Sequence, residues 1–126
     1  MIDAVGLVVT ELHRVLGVPV SDRVPAHRPD GRFVTVQRTG GGRWGRIGDA
    51  PELTTEAWGV TNRDAERLAH EAWDVYDALR NAQRLPGGAG SLHRLEDVGG
   101  IVSLPDDLSS RPRFTFTRRL WIRAPR

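Results

Sequence analysis

Residues 53–84, LTTEAWGVTNRDAERLAHEAWDVYDALRNAQR, read as a strand, a tight turn and one long helix. Leu53–Val60 is the strand, and the helix is expected from Asn62 to about Arg84. Its apolar residues are Ala65, Leu68, Ala69, Ala72, Val75, Tyr76, Leu79 and Ala82. Spacings of three and four place them on one stripe, which must be buried against something. Thr61 and Asp64 have the spacing of a capping box, with Asp in place of the usual Glu. Pro86-Gly87-Gly88 is expected to end the helix. The rest of the chain is short strands, one earlier helix and glycine-rich loops, so this unit organises it.

Upstream, Ile2–Leu16 has the pattern of an amphipathic helix. Ile2, Val5, Val9, Leu12 and Leu16 share a stripe, with Val8 and Val15 beside it. Gly17 sits where helices often end, and the β-branched content makes the helix dependent on tertiary packing. Pro19, Pro25 and Pro29 keep Val18–Pro29 extended, with a short edge strand expected near Val18–Val20. Arg32–Arg38 is a strand, with Val34 and Val36 on one face and Phe33 and Thr35 on the other. The stretch TGGGRWGRIGDAP, residues 39–51, holds five glycines. It is long for a hairpin loop, usually about two to five residues, and is expected to be mobile or functional.

Downstream, Leu92–Leu104 reads as a strand with a bulge at Gly99-Gly100. The last strand is Arg113–Arg123. Phe114, Phe116, Leu120 and Ile122 share a face, and Arg118 breaks it, either by reaching past the core or by marking a bulge. Thr115, Thr117, Arg119, Trp121 and Arg123 occupy the other face, an aromatic and arginine-rich set that one domain has no need to bury. The expected fold is α+β: an antiparallel sheet of four to five strands with two helices on one side.

The chain has 126 residues, which makes residues 1–126 a single domain large enough for a core without staples. With no cysteine, disulfides and thiolate metal sites are excluded. All 18 basic residues are Arg, so the pI of about 10.3 overstates a net charge of only +2. That charge is a weak argument for nucleic-acid binding, and the absence of Lys reads as genome composition rather than mechanism. The first residues lack a basic leader, and Asp3 and Glu11 interrupt their apolar run. Neither a signal peptide nor a membrane span is expected, so a protein that is cytoplasmic, or assembled in the cytoplasm, is expected.

No catalytic pattern emerges. His13, His27, His70 and His93 form no HxH or HExxH pair. His70 between Glu66 and Asp74 reads as a solvated helix face, and Asp106-Asp107 as turn chemistry. GGGRWG lacks the phosphate-loop pattern and is followed by no helix. No serine lies in a GxSxG context. A double-stranded RNA-binding domain shares the outline, but the second helix here starts NRDAER, with acidic residues among the basic ones, and two more strands follow. The expectation is therefore no enzyme, no cofactor and no metal.

In order and spacing the chain resembles the tail terminator, or tail completion, proteins of long-tailed bacteriophages, in the small form of actinobacterial phages. The resemblance covers nearly the whole chain. It rests on the IDAVGLVVTELHRVLG helix, the RFVTVQRTGG strand, the strand ending EAWGV with the NRDAERLAHEAWDVYDALR helix directly after it, and the closing RPRFTFTRRLWIR strand. It implies a single tail-terminator-like domain and a homohexameric ring without enzymatic activity. That ring would cap the head-proximal end of the tail tube, stop its growth and join the tail to the head connector. The implied partners are other copies of the chain, the major tail tube protein, the head–tail connector or stopper, and DNA passing non-specifically through the lumen; no membrane is implied. The implied location is the virion, at the head-proximal end of the tail. The nearest alternatives are a neck stopper or other head–tail joining protein, and a small nucleic-acid-binding module.

Interfaces favour Trp and Arg. A closed ring needs two different patches on each subunit. Arg119, Trp121 and Arg123 on the last strand are the candidates for one. Arg43, Trp44 and Arg46 on the 39–51 loop are the candidates for the other.

Overall fold

The structure is a computed structural model that describes residues 2–125. Helix α1 spans Ala4–Leu16 and α2 spans Asn62–Ala82. The strands are β1 (Val20–Ser21), β2 (Phe33–Gly40), β3 (Arg43–Trp44), β4 (Gly48–Asp49), β5 (Glu52–Trp58), β6 (Ser91–Ser103) and β7 (Arg113–Arg123). Strand β7 is the axis of the sheet. Strands β5 and β4 lie end to end along one of its edges and β6 along the other, while β2 and then β1 extend the sheet beyond β5. Every pairing is antiparallel except β1 with β2.

The α+β expectation holds, with two corrections. The sheet has seven strands rather than four to five, and it is mixed rather than purely antiparallel. The short early strand expected near Val18–Val20 is β1, at Val20–Ser21, and the strands beyond the expected set, β3 and β4, have two residues each as it does. Elements that short carry no periodicity; β1 forms on the edge of β2 and β4 on that of β7, and β3 folds back on β4.

Helix α2 starts as its sequence dictates. Thr61 has extended backbone and its hydroxyl accepts from Asp64 N at 3.1 Å. Asp64 Oδ2 in turn lies 3.5 Å from Val60 N, one residue before the usual capping-box partner. Gly59 permits the sharp entry from β5: a Cβ there would stand 2.5 Å from Ala65 N. The stripe from Ala65 to Leu79 is buried, but Ala82 is exposed. The helix ends at a left-handed Gln83 (φ 57°), before the prolyl-glycyl segment, which forms a 3₁₀ turn at Pro86–Gly88.

Helix α1 is capped by Asp3, which accepts from Gly6 N at 3.0 Å, and stopped by a left-handed Gly17. Its buried line is Ala4–Val8–Leu12, not the expected one through Val5 and Val9, and Val15 is half exposed. Both stripes lie on one side of the helix; the packing of α1 on α2, β1 and β2 selects between them.

Both helices cover the same face of the sheet. There Val34, Val36, Leu53, Ala57, Phe116, Leu120 and Ile122 meet Val8, Leu12, Leu68, Ala72 and Tyr76 in one core. Arg118 belongs to this face and β7 has no bulge against β5; the register shifts lie in β6 against β7. The Arg118 side chain is 4% exposed. It donates to Asp77 at 2.9 Å, Asp97 at 3.1 Å and Trp73 O at 3.2 Å. A charge so deep is tolerable because both ends of its fork are paired.

Candidate functional site

The face of the sheet opposite the helices carries no helix among the described residues; the segment before β2 covers one end of it, and the rest is built of polar ladders. Thr39, Thr54 and Thr117 hydroxyls join across β2, β5 and β7 at 2.8 Å each. Arg113 pairs with Glu56 at 2.9 Å, and Arg119 with Glu52 and, at 3.8 Å, with Glu96. Cross-strand pairs of this kind satisfy a solvated face.

At one end of this face, Phe33 and Trp58 stack at 4.9 Å and are fully buried. Arg28 and Arg113 lie over Trp58 at 5.5 and 5.0 Å, and Arg111 over Phe33 at 5.3 Å. Arg111 also donates to the carbonyls of Pro29 and Gly31, the latter at 2.8 Å, strapping the segment before β2 over the rings. This small second core had no sequence signal, because alternation puts Phe33 and Trp58 on the outward face.

At the other end, β3 and β4 form a two-stranded ribbon. Residues 39–51 are therefore a paired ribbon, which corrects the expectation of one long loop. Glycine here tightens the chain: a Cβ on Gly48 would meet Trp44 O at 2.1 Å, and Gly41 (φ 88°) would meet Ala50 O at 2.0 Å. Gly48 and Asp49 pair with Arg123 and Ile122, and Ala124 N donates to Ile47 O at 3.0 Å. Arg38 grips Asp49 with both terminal nitrogens, at 2.7 and 2.9 Å. That hydrogen bonding raises the guanidinium pKa further, against an opposing effect of burial.

The ribbon carries Trp44 onto Trp121. Their rings meet edge to face at 5.5 Å and 90°, and His93 completes the cluster at 5.4 Å from Trp44. The Arg123 guanidinium lies 4.2 Å from the Trp44 ring and that of Arg119 lies 5.9 Å from Trp121. Trp121 Nε1 donates to Glu96 at 3.0 Å. Trp44 of one candidate set and Trp121 and Arg123 of the other thus meet in one cluster, whereas Arg43 pairs in strand register with Asp49 on the face of the ribbon that carries Ile122 and lines a separate hollow with Arg46 and Ile2. Arg119 is tied down by Glu52 and Glu96 within the subunit, whereas Arg43 and Arg46 are exposed and have no carboxylate partner among the described residues. His93, Arg94 and Glu96 join the patch without having been singled out in the sequence. The register shift between Leu92 and Arg94 disturbs the alternation that would have placed them.

The patch offers aromatic edges, planar cations and few titrating groups, a chemistry suited to binding. Among the described residues no group of three or more His, Asp or Glu is placed to hold a metal ion, and no helix is long and apolar enough to cross a membrane. Asp106 serves a turn: it accepts from Ser109 N at 3.1 Å and from the Ser109 hydroxyl, and pairs with Arg28 at 3.2 Å.

No family model and no curated protein matches the chain. Among solved structures, a chain from the virion of a native gene transfer agent particle has the same fold. It aligns with a TM-score of 0.59 at 18% identity, over 98% of this chain and 100% of that one.

Proposed function

We propose that this chain is a structural protein of a phage-like virion, and within it a tail terminator. Copies of the chain would form a ring, a homohexamer by the family resemblance, on the head-proximal end of the tail tube. One side of the ring would bind the last tube ring and the other would face the head connector, so that the tube stops growing. The observation that carries this reading is the end-to-end agreement of fold with a gene transfer agent virion chain. The half-buried Trp44–Trp121–Arg123 patch supports it, since such side chains carry most interface energy. The protein performs no chemistry in this role, and DNA in the lumen is a passenger.

The test is polymerisation of the cognate major tail tube protein with and without this chain, followed by electron microscopy. Shortened tubes with a terminal ring are the expected result. Unlimited tubes with no ring at either end would overturn the terminator role. Binding to the purified connector without capping would reassign the chain as a stopper.

A further inference from the structure

The ribbon tip and a groove on the helix side carry complementary charge. The groove runs between α1 and α2, over Val15, Leu16, Val75 and Ala78, with Glu71 and Asp74 on its rim. Val15 is 50% exposed there, so the floor is open and apolar. Asp74 has no basic partner among the described residues, and Glu71 has only Arg32 at 3.5 Å. Arg14, the one cation of the groove, is already held by Glu11 at 2.7 Å. The ribbon is the reverse in charge: Ile47, 47% exposed, is grouped there with Arg43 and Arg46, which have no carboxylate partner among the described residues.

The two surfaces cannot meet within one chain. The ribbon lies beside Ile2 at the start of α1, while the groove lies at that helix's other end, 13 residues on, or about 20 Å away. We propose that the groove receives the ribbon tip of a second copy of this chain, with Ile47 on the apolar floor and Arg46 and Arg43 against Asp74 and Glu71. The contact is head-to-tail, because donor and acceptor are different surfaces, and such contacts close into rings when their rotation permits. The inference rests on the ring assigned under the proposed function. The competing edge-to-edge pairing of sheets is disfavoured: β6, the long free edge, carries register shifts at 92–94, 97–99 and 99–102, and bulged edges resist strand addition.

The experiment is charge reversal with rescue, read by mass photometry and by sedimentation at raised concentration. Arg46→Glu and Asp74→Arg are both exposed changes, and circular dichroism checks the fold of each. Each single variant should lose oligomer by about tenfold or more at fixed concentration. The double variant should recover it, and Ile47→Asp should abolish it. Single variants that assemble like the wild type, a double variant that stays dissociated, or a wild type that is monomeric at every concentration would each overturn the interface. So would duplex DNA binding lost in Arg46→Glu with assembly unchanged, which would give the ribbon to nucleic acid. A wild type that forms charge-dependent oligomers but never caps tubes supports this interface while overturning the terminator role, so the two failures are separable.

Discussion

The guanidinium of Arg118 lies 3.8 Å from the centre of the Trp73 ring, sandwiching a strand cation against a helix aromatic inside the core. Its partners Asp77 and Asp97 are 36% and 62% exposed, so water reaches the far side of each pair. Removing the cation costs packing and charge together. Arg118→Ala should destabilise by about 3–5 kcal/mol. Asp97→Asn, on the wet side, should cost less than about 1 kcal/mol. Urea denaturation of both variants checks the contrast, and equal losses would mean that the pairing with Asp97 rather than the packing dominates.

Tyr76 and Thr55 share a hydroxyl contact of 2.8 Å with both residues buried. Tyr76→Phe leaves the Thr55 hydroxyl without that partner and should cost about 1–3 kcal/mol. Adding Thr55→Val should return part of the loss, since two apolar groups leave nothing unpaired. Burial, opposed by Thr55 and Arg118, raises the phenol pKa well above its ordinary value. The unfolded chain ionises first as pH rises past about 10 and then binds fewer protons than the folded one. Stability from this group is therefore present below that pH and falls above it, and Tyr76→Phe should flatten that part of the pH profile.

Asp106 responds at the opposite end of the scale. The Ser109 hydroxyl chiefly holds its carboxyl below the usual range, with help from backbone N–H groups and Arg28 and against the effect of burial. Below about pH 4 the unfolded chain takes up this proton first. The contribution is thus present above that pH and lost as pH falls through the lower folded value. The stability difference between wild type and Asp106→Asn should shrink over this range, which denaturation at a series of pH values would measure. A difference independent of pH would remove the carboxylate charge from the turn's stability.

Trp44 and Trp121 touch, so their truncations should not be independent. A double-mutant cycle should return a coupling of about 0.5–1.5 kcal/mol in stability. Strict additivity would mean that the edge-to-face contact is not maintained in solution. In the tube-capping assay the two single variants should share one phenotype, as members of one patch.

Duplex DNA should bind weakly, without sequence preference and with steep salt dependence, through Arg43 and Arg46, which have no carboxylate partner among the described residues. Filter binding at two salt concentrations checks this. Tight binding of one sequence at physiological salt would favour a recognition module over a passage for DNA.

What the sequence determined by itself is local. Thr61, the stripe from Ala65 to Leu79 and the alternation from Arg113 to Arg123 specify α2 and β7 nearly to their ends, because capping and periodicity act within a few residues. The tertiary structure decided everything that depends on which edges meet. Strand β7 has two, and its docking of β4 on one and β6 on the other folds the glycine stretch into a ribbon. That docking sets Trp44 on Trp121 and brings His93 beside them. It is also the helix side of that sheet that surrounds Arg118 with Asp77, Asp97 and Trp73, turning an apparent break in the pattern into part of the core. Such contacts join residues far apart in the chain, and their stability comes from pairing and packing after closure. Composition and spacing carry no record of them.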